Sequence, residues 1–382
     1  MKSPLTLILI LCLAFCCNPK QEQHKTTTAM NETYHFLLGT YTDTSNQGIN
    51  ILEFDPEANK LEILHITSGI ENPSFVIANT AQTLVFATEE TGGEKGGKLT
   101  SFSLDKATKK LEKINSVYTH GDSPCHISMD PTEQYLVVSN YSGGNIAVIP
   151  VDKEGRLSEA AQIIQHQGSS VHPTRQKQPH VHSAVFHPRE QKVFVADLGT
   201  DKIFVYDVND NTAAPLSAAP TTFSVAAGAG PRHLAFNKSG DRLYLIHEIS
   251  GEIGAYAYEG NTIQHLATYP LKHEGFGGEV GAAELRFSPD GKYLYASNRG
   301  EVNNLAAFEI DESGELTQIQ TLPSGGEAPR NFIITPDGKY LLCGNQNSNE
   351  VVSFKRNTAD GTLTPTDVSL SVNKPVYFYL LE

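Results

Sequence analysis

Positive charge is scarce in this sequence. The 382 residues contain 29 Lys and Arg against 43 Asp and Glu, which gives a formal net charge of −14. Proteins that bind nucleic acids normally carry a basic surface for the phosphates, so we expect no nucleic-acid partner. Hydrophobic residues at 39% and charged residues at 19% are ordinary for a globular protein, and they argue against a disordered or fibrous chain.

Cysteine is also scarce, and only Cys125 and Cys343 lie beyond the N-terminal segment. They are far apart on separate hydrophobic segments, so a disulfide framework is not indicated. Neither belongs to a CxxC or Cys/His array, which leaves a structural zinc site without support. A calcium site would need clustered carboxylates, which are absent, although several side chains near the predicted site could ligate an ion: Asp197, Asn140, Asn298 and Asn345. We therefore expect neither a metal nor a cofactor.

The N-terminal hydrophobic run is too short to cross a bilayer. The run from Leu5 to Phe15 has the length of a signal-peptide core, and Lys2 precedes it. The residues that follow resemble a bacterial lipobox, and cleavage before Cys17 would place the small side chain of Cys16 next to the cut. We therefore predict a lipoprotein-type signal over residues 1–17, with Cys17 as the lipidated residue.

This prediction fixes the expected organisation and location of the protein. Residues 18–33 are polar and would form a flexible tether, which leaves 34–382 as one folded domain. The product would be exported to the periplasm or outer membrane and would contact the membrane only through the lipid anchor. A plain secretory signal and a soluble periplasmic product are the alternative.

The chain contains an internal repeat in which a turn is followed by a strand-like run. Six blocks of 11 residues share this pattern: Thr80–Glu90, Pro131–Tyr141, Pro188–Leu198, Lys238–Glu248, Pro289–Arg299 and Pro336–Gln346. Each block is preceded, mostly seven residues earlier, by a small residue or a proline. That residue opens another apolar run. Units of about 50 residues with four short strands are typical of propeller blades.

The seventh unit is divided between the two ends of the chain. Pro375 opens a last apolar run that has no partner strand after it, whereas Asn31–Tyr41 matches the second half of the block. Strands from both termini would share one sheet, which removes exposed sheet edges. The sequence thus predicts an all-β, seven-bladed propeller of four-stranded antiparallel blades. An open pair of β-sandwiches is the alternative.

The repeat register predicts which side chains share one face of the disc. The start of the first strand of a blade and the end of the second lie on the same face, because the two strands are antiparallel. The position after the opening residue is held by Ser74, Cys125, His182, Arg232, Ala283, Arg330 and Val376. The end of the second strand is held by Tyr41, Glu90, Tyr141, Leu198, Glu248, Arg299 and Gln346. Positions fixed by packing alone would repeat one apolar type, whereas these two rings vary in chemistry.

Four titratable side chains of these rings fall in three consecutive blades, and they are His182, Arg232, Glu248 and Arg299. Their convergence at one mouth of the central channel would indicate chemistry or anion binding, although Arg232 and Glu248 alone could form a structural ion pair. Further candidate contacts to a substrate are His180, Arg330, Asn298 and Tyr141. Two other histidines, His126 and His233, stand one place further along their strands and are expected to point toward neighbouring blades.

A series of short motifs runs in order from Tyr34 to the C-terminus. It includes Gly39-Thr-Tyr-Thr42, Asn72-Pro-Ser-Phe75, Pro124-Cys-His126, Ser139-Asn-Tyr-Ser-Gly-Gly144, Pro179-His-Val-His-Ser183, Ala196-Asp-Leu-Gly199, Gly230-Pro-Arg-His233, His247-Glu248 and Ser288-Pro-Asp-Gly-Lys-Tyr-Leu-Tyr-Ala-Ser-Asn-Arg-Gly300. Together they resemble the 6-phosphogluconolactonase-type lactonases, a propeller family similar to the carboxymuconate-lactonising enzymes. The family's site maps by resemblance onto His182, Arg232, Glu248 and Arg299. The resemblance implies hydrolysis of a sugar lactone.

Lactone opening needs an activated water, a stabiliser for the oxyanion and a proton for the leaving alkoxide. Glu248 or His182 would be the base, with a slight preference for His182 because a flanking guanidinium weakens a carboxylate base. Arg232 would orient Glu248 and polarise the carbonyl, and Arg299 would hold the anionic or hydroxyl-rich end of the substrate. We expect a monomer whose partner is a small sugar lactone.

Two other functions are compatible with the same sequence. An exported propeller without catalytic activity could bind a carbohydrate or a protein through this face, where Tyr41 and Tyr141 would suit sugar stacking. A lactonising lyase is the second alternative, because that activity occurs in the similar carboxymuconate-lactonising enzymes.

Overall fold

The computed structural model describes residues 33–42, 48–211, 213–272 and 275–382. The predicted signal at 1–17, the lipidation site Cys17 and nearly all of the tether at 18–33 lie outside the described residues. Within the described ranges, the assigned elements are all β-strands.

The strands follow one another in short runs of four to nine residues, apart from one of three. The first seven are Tyr34–Thr40 (β1), Ile49–Asp55 (β2), Lys60–Thr67 (β3), Val76–Ala78 (β4), Leu84–Glu89 (β5), Lys98–Asp105 (β6) and Lys110–Tyr118 (β7). The next eight are Pro124–Met129 (β8), Tyr135–Asn140 (β9), Asn145–Pro150 (β10), Gln162–Gln165 (β11), Val181–Phe186 (β12), Lys192–Asp197 (β13), Lys202–Asp207 (β14) and Thr221–Ser224 (β15). The next eight are Pro231–Phe236 (β16), Arg242–His247 (β17), Glu252–Glu259 (β18), Thr262–Pro270 (β19), Val280–Phe287 (β20), Tyr293–Gly300 (β21), Asn304–Ile310 (β22) and Leu316–Pro323 (β23). The last five are Pro329–Ile334 (β24), Tyr340–Asn345 (β25), Glu350–Arg356 (β26), Leu363–Ser371 (β27) and Pro375–Leu381 (β28).

These strands form seven four-stranded antiparallel sheets within the described ranges. Six sheets contain four consecutive strands, and we number them blades 2 to 7 from β4–β7 to β24–β27. Blade 1 has the order β28-β1-β2-β3, so the last strand of the chain pairs with the first. The predicted seven-bladed propeller, with its ring closed by strands from both termini, is confirmed.

Each blade is buried on both faces because it packs between two neighbours. In β13, Val193 and Val195 belong to the hydrophobic cluster shared with blade 3, whereas Phe194 belongs to the cluster shared with blade 5. Successive side chains of a strand point to opposite faces, so an uninterrupted apolar run serves both interfaces. The hydrophobic core of the described residues is therefore a ring of clusters, one between each pair of blades.

The innermost strands carry a β-bulge near their first residue in six of the seven sheets that the structure describes. In β12, for example, Val181 pairs with Asp197 and Ser183 pairs with Ala196, which leaves His182 as the extra residue. The same register shift leaves five equivalent residues without a direct partner, namely Cys125, Arg232, Ala283, Arg330 and Val376. A bulge turns the extra side chain away from the regular alternation, so these side chains can enter the central channel.

Candidate active site

A cavity of about 440 Å³ opens at one mouth of the central channel and draws residues from every blade. Ten residues of the two predicted rings line it, namely Tyr41, Glu90, Cys125, Tyr141, His182, Arg232, Glu248, Arg299, Arg330 and Gln346. The remaining lining residues are Arg175, Gly281, Gly300, Ala328 and Asn347. The structure thus brings together the four residues that the sequence singled out for catalysis, along with Arg330 and Tyr141.

Glu248 is the centre of a charged cluster on one side of the cavity. Its Oε2 accepts hydrogen bonds from Arg232 Nη1 and Arg299 Nη2, each at 2.9 Å. Its Oε1 accepts a hydrogen bond from Arg175 Nη2. The Glu248 side chain is only 8% exposed, so three guanidiniums share one buried carboxylate. Such charge-assisted contacts hold the arginines in fixed positions around the cavity.

The ionisation of Glu248 is set by these neighbours. Burial alone would raise the pKa of this carboxyl, but the guanidiniums of Arg299 and Arg232 hold the pKa well below its usual value. Glu248 therefore stays ionised at neutral pH and is a weak base. Its chemistry is that of a fixed counter-ion for the arginines.

His182 contacts the same cluster from blade 4. Its Nε2 accepts a hydrogen bond from Arg232 Nη1 and lies 3.8 Å from Glu248 Oε2. Arginine has no acceptor, so Nε2 must be unprotonated and the neutral ring carries its proton on Nδ1. Burial and the nearby Arg232 lower the pKa of His182 well below its ordinary value, in agreement with a neutral ring.

Cys125 lies between the two sides of the cavity and contacts His182. Its Sγ is 3.5 Å from the His182 carbonyl oxygen and 3.9 Å from His182 Nδ1. Burial raises the pKa of the Cys125 thiol, so the thiol stays protonated and is a poor nucleophile. Cys125 and Cys343 are both free and buried.

The opposite side of the cavity holds a second, different group of side chains. Tyr41 donates a hydrogen bond from its hydroxyl to Glu90 Oε2 at 2.9 Å. The Arg330 guanidinium stacks over the Tyr41 ring, with its carbon 5.5 Å from the ring centroid. Among the described residues, Arg330 has no carboxylate within 4 Å, so its charge faces the cavity without a direct counter-ion.

Sequence analysis missed Arg175, which reaches the site from the connection between β11 and β12. Its Nη2 contacts both Glu248 and the Tyr141 hydroxyl, the latter at 3.0 Å. The connection is held against blade 4, where Gln176 donates a hydrogen bond to the Leu198 carbonyl at 2.8 Å. Gly199 is required there, because a Cβ would lie 1.9 Å from a backbone oxygen of the connection. A loop residue has no place in the repeat register, so the register gave no signal for Arg175.

Two predicted substrate contacts, His180 and Asn298, do not line the cavity. His180 stacks on Tyr141 with ring centroids 4.5 Å apart, and its Nδ1 lies 3.0 Å from the Tyr141 carbonyl oxygen. Asn298 is fully buried and accepts a hydrogen bond from the Gly281 backbone amide at 2.9 Å. Both side chains contact residues that line the cavity, and their direct contact with a substrate stays a prediction. His180 lies just before β12, and Asn298 pairs with Ala282, so neither is the extra residue of a bulge.

The expectation that His126 and His233 point toward neighbouring blades is wrong. Their rings lie 5.6 Å apart although they belong to blades 3 and 5, so they meet in the channel, and the His233 ring is 5.3 Å from that of His182. His233 also contacts Glu284 at 3.3 Å. The bulge at the preceding residue shifts the alternation by one place, which turns these side chains inward. They form a buried layer beneath the mouth.

The site as a whole combines positive charge with two carboxylates. Four arginines and two glutamates line the cavity, although the chain as a whole carries a net charge of −14. Fixed guanidiniums in a concave, partly desolvated site can bind an anion or stabilise a developing oxyanion. Among the described residues, no group of three or more His, Cys, Asp or Glu side chains has the geometry of a metal site.

Comparisons with known proteins find similar sequences and a similar fold. Residues 35–380 match the family described as Lactonase, 7-bladed beta-propeller. The chain is 31% identical to the 6-phosphogluconolactonase of Bacillus subtilis, over 90% of this chain and 97% of that protein. It is 32% identical to the 6-phosphogluconolactonase of Formosa agariphila, over 88% of this chain and 96% of that protein. The solved structure of the periplasmic gluconolactonase PpgL of Pseudomonas aeruginosa superposes with a TM-score of 0.87 at 36% identity, over 92% of this chain and 99% of that one.

Proposed function

The chain belongs to the seven-bladed β-propeller lactonase family, and on this premise we propose that it hydrolyses a sugar lactone to the open-chain acid at the cavity described above. The substrate is a six-carbon aldonolactone of the gluconolactone type, with or without a phosphate. The observation that carries the proposal is the cluster of arginines around Glu248, because lactone hydrolysis passes through an oxyanion that such a cluster can stabilise.

The arginines have different roles in this proposal. Arg232 is 2% exposed and is held by Glu248 and by the Ala283 carbonyl, so it fixes the geometry of the cluster. Arg299 and Arg175 are more exposed, at 16% and 42%, and are placed to polarise the lactone carbonyl and to stabilise the oxyanion. Arg330, on the opposite side, binds a hydroxyl or an anionic group of the substrate.

His182 and Glu248 have supporting roles in this proposal. The sequence predicts either as the base that activates water, but Arg232 engages His182 Nε2 and three arginines engage Glu248. We assign them the positioning of the guanidiniums.

The proposed activity is tested by initial-rate measurements in a pH-stat with glucono-1,5-lactone and its 6-phosphate. We expect at least one of the two lactones to open much faster than in buffer alone, since sugar lactones also open spontaneously. The ratio of kcat/KM for the two substrates shows whether a phosphate contributes to binding. Rates equal to the spontaneous ones for both lactones would contradict the proposal.

We propose further that the protein is exported and anchored by a lipid on Cys17, and that it acts as a monomer. The support is the signal-like N-terminal sequence, together with the periplasmic location named for the Pseudomonas relative. Within the described residues, no helix has the length and hydropathy needed to cross a membrane. The mass of the mature N-terminal peptide should show a diacylated cysteine at position 17. An unmodified N-terminus at another residue would contradict lipid anchoring.

A further inference from the structure

The cavity contains two carboxylates that face each other but have opposite surroundings. Glu90 belongs to blade 2 and Glu248 to blade 5, so they come from opposite sides of the seven-bladed ring. Both occupy the residue at the end of the second strand in the repeat register. They therefore project toward the same mouth from equivalent places, and the difference between them lies in their partners.

Both carboxylate oxygens of Glu248 are engaged by guanidiniums. Oε2 accepts from two guanidiniums and Oε1 from a third, and the side chain is 8% exposed. A proton on Glu248 would have to displace an arginine. His182 is also engaged, because its Nε2 accepts from Arg232 and its ring is buried. Protonation of either group would weaken its contacts to the guanidiniums that the structure shows.

Glu90 is surrounded differently. Its carboxylate accepts one hydrogen bond, from the Tyr41 hydroxyl to Oε2 at 2.9 Å. In the part of the chain that the structure describes, no Lys, Arg or His nitrogen lies within 4 Å of it, and its Oε1 has no hydrogen-bond partner. Glu90 is half-buried at the wall of the cavity, so Oε1 is open to the space where a substrate and a water would lie.

Tyr41 and Arg330 hold Glu90 in this position. Burial raises the pKa of the Tyr41 phenol, so the hydroxyl stays protonated and donates its hydrogen to Glu90. The Arg330 guanidinium lies over the Tyr41 ring and fixes its orientation. Glu90 Oε2 is thus tied to a rigid partner, while Oε1 keeps its lone pairs for another contact.

We propose that Glu90 is the general base of the reaction, a role that rests on the proposed lactonase function. Glu90 takes a proton from water as the water oxygen bonds to the lactone carbonyl carbon, and the carbonyl electron pair moves to the oxygen beside the arginines. The tetrahedral intermediate then collapses: the carbonyl re-forms, the bond to the ring oxygen breaks, and the leaving alkoxide receives the proton from Glu90. The net change is addition of one water, and Glu90 is again a carboxylate.

The two carboxylates therefore have different roles. Glu248 neutralises and orders the arginines that stabilise the oxyanion, and Glu90 accepts the proton from water and returns it to the leaving alkoxide. Glu90 stands in blade 2, across the cavity from Arg232 in blade 5 and Arg299 in blade 6, so the two tasks are carried on separate sides of the site.

The experiment compares kcat and KM of wild type with those of Glu90→Gln and Glu90→Ala, using the better substrate from the pH-stat assay. Loss of a general base lowers kcat by about 10²- to 10⁴-fold. We expect that loss in both variants, with KM changed much less, because Glu90 transfers protons during the reaction and does not hold the unreacted lactone. Added sodium formate should restore part of kcat in Glu90→Ala, where the shortened side chain leaves room for a small carboxylate, and should leave wild type unchanged. A purely structural residue would not respond to formate.

The matched control is Glu94→Gln, which removes an exposed carboxylate from the loop that follows Glu90 and should keep wild-type kinetics. Circular dichroism and a thermal melt establish that each variant is folded. Folded Glu90 variants with kcat close to wild type, or with a loss that formate does not relieve, would overturn the assignment of Glu90 while leaving the lactonase function intact. Failure of the lactonase function itself would appear as the absence of activity in wild type.

Discussion

Replacing Glu248 by glutamine is expected to lower kcat/KM for lactone hydrolysis by about 10²- to 10³-fold. The substitution keeps the size of the side chain but removes the charge that Arg175, Arg232 and Arg299 share. Three guanidiniums without their counter-ion repel one another and leave the positions from which they act on the oxyanion. Breaking a buried ion pair by removing one partner also costs about 3–5 kcal/mol of folding free energy, so a lower Tm is expected as well.

Kinetics and thermal melts recorded on the same preparations separate the loss of activity from the loss of stability. Glu248→Asp keeps the charge one methylene further from the arginines and should recover part of the activity and of the stability lost in Glu248→Gln. Glu312→Gln removes an exposed carboxylate from the turn between β22 and β23 and should match wild type in both. A folded Glu248→Gln variant with near-wild-type kcat/KM would show that the arginine cluster does not need this counter-ion for catalysis.

The repeat made the fold and most of the cavity lining predictable. A repeat register identifies equivalent positions, and a ring of blades brings equivalent positions to one axis. His182, Arg232 and Arg330 were found in this way, because each follows the opening residue of its blade. The register located them without any knowledge of the bulges, which are the physical reason that these side chains enter the channel.

The errors come from features that a repeat of strands does not describe. His126 and His233 were assigned from regular strand alternation, but a bulge one residue earlier turns them into the channel. Arg175 lies in a loop whose path is set by packing on blade 4, which a strand repeat cannot describe. The different surroundings of Glu90 and Glu248 depend on which long side chains reach them from other blades, and this information is absent from the register.

The charge of the cavity differs from that of the rest of the molecule, and the bulges help to make this possible. Arg232 and Arg330 are extra residues in their strands, so their charged side chains leave the apolar interfaces between blades and enter the cavity at the channel mouth. A charged side chain in a regular position of the same strand would face a hydrophobic cluster, where an unpaired charge is very costly. The local break in the strand ladder thus allows a stable core and a charged site to coexist.

Removal of residues 375–382 is expected to prevent the formation of a stable, soluble propeller. Without β28, blade 1 loses its innermost strand and the unpaired edge of β1 is exposed, which favours aggregation. Val376, Phe378 and Leu381 are buried to at least 95% in wild type, and burial of each side chain contributes about 1.5–3 kcal/mol. The sum is comparable to the whole stability of a typical domain, which is about 5–15 kcal/mol.

The truncated chain is compared with wild type by the soluble fraction after expression and by size-exclusion chromatography. Phe378→Ala is a milder version of the same test. The Phe378 ring contacts Phe36 of β1 edge to face, with the ring centroids 6.4 Å apart. Replacement of a buried Phe by Ala costs about 3–5 kcal/mol of folding free energy. We expect this variant to fold with a clearly lower Tm, whereas deletion of Glu382 alone should leave the melting curve nearly unchanged, since its side chain is exposed. A truncated protein that remains soluble and melts like wild type would show that blades 2 to 7 are stable without closure of the ring by both termini.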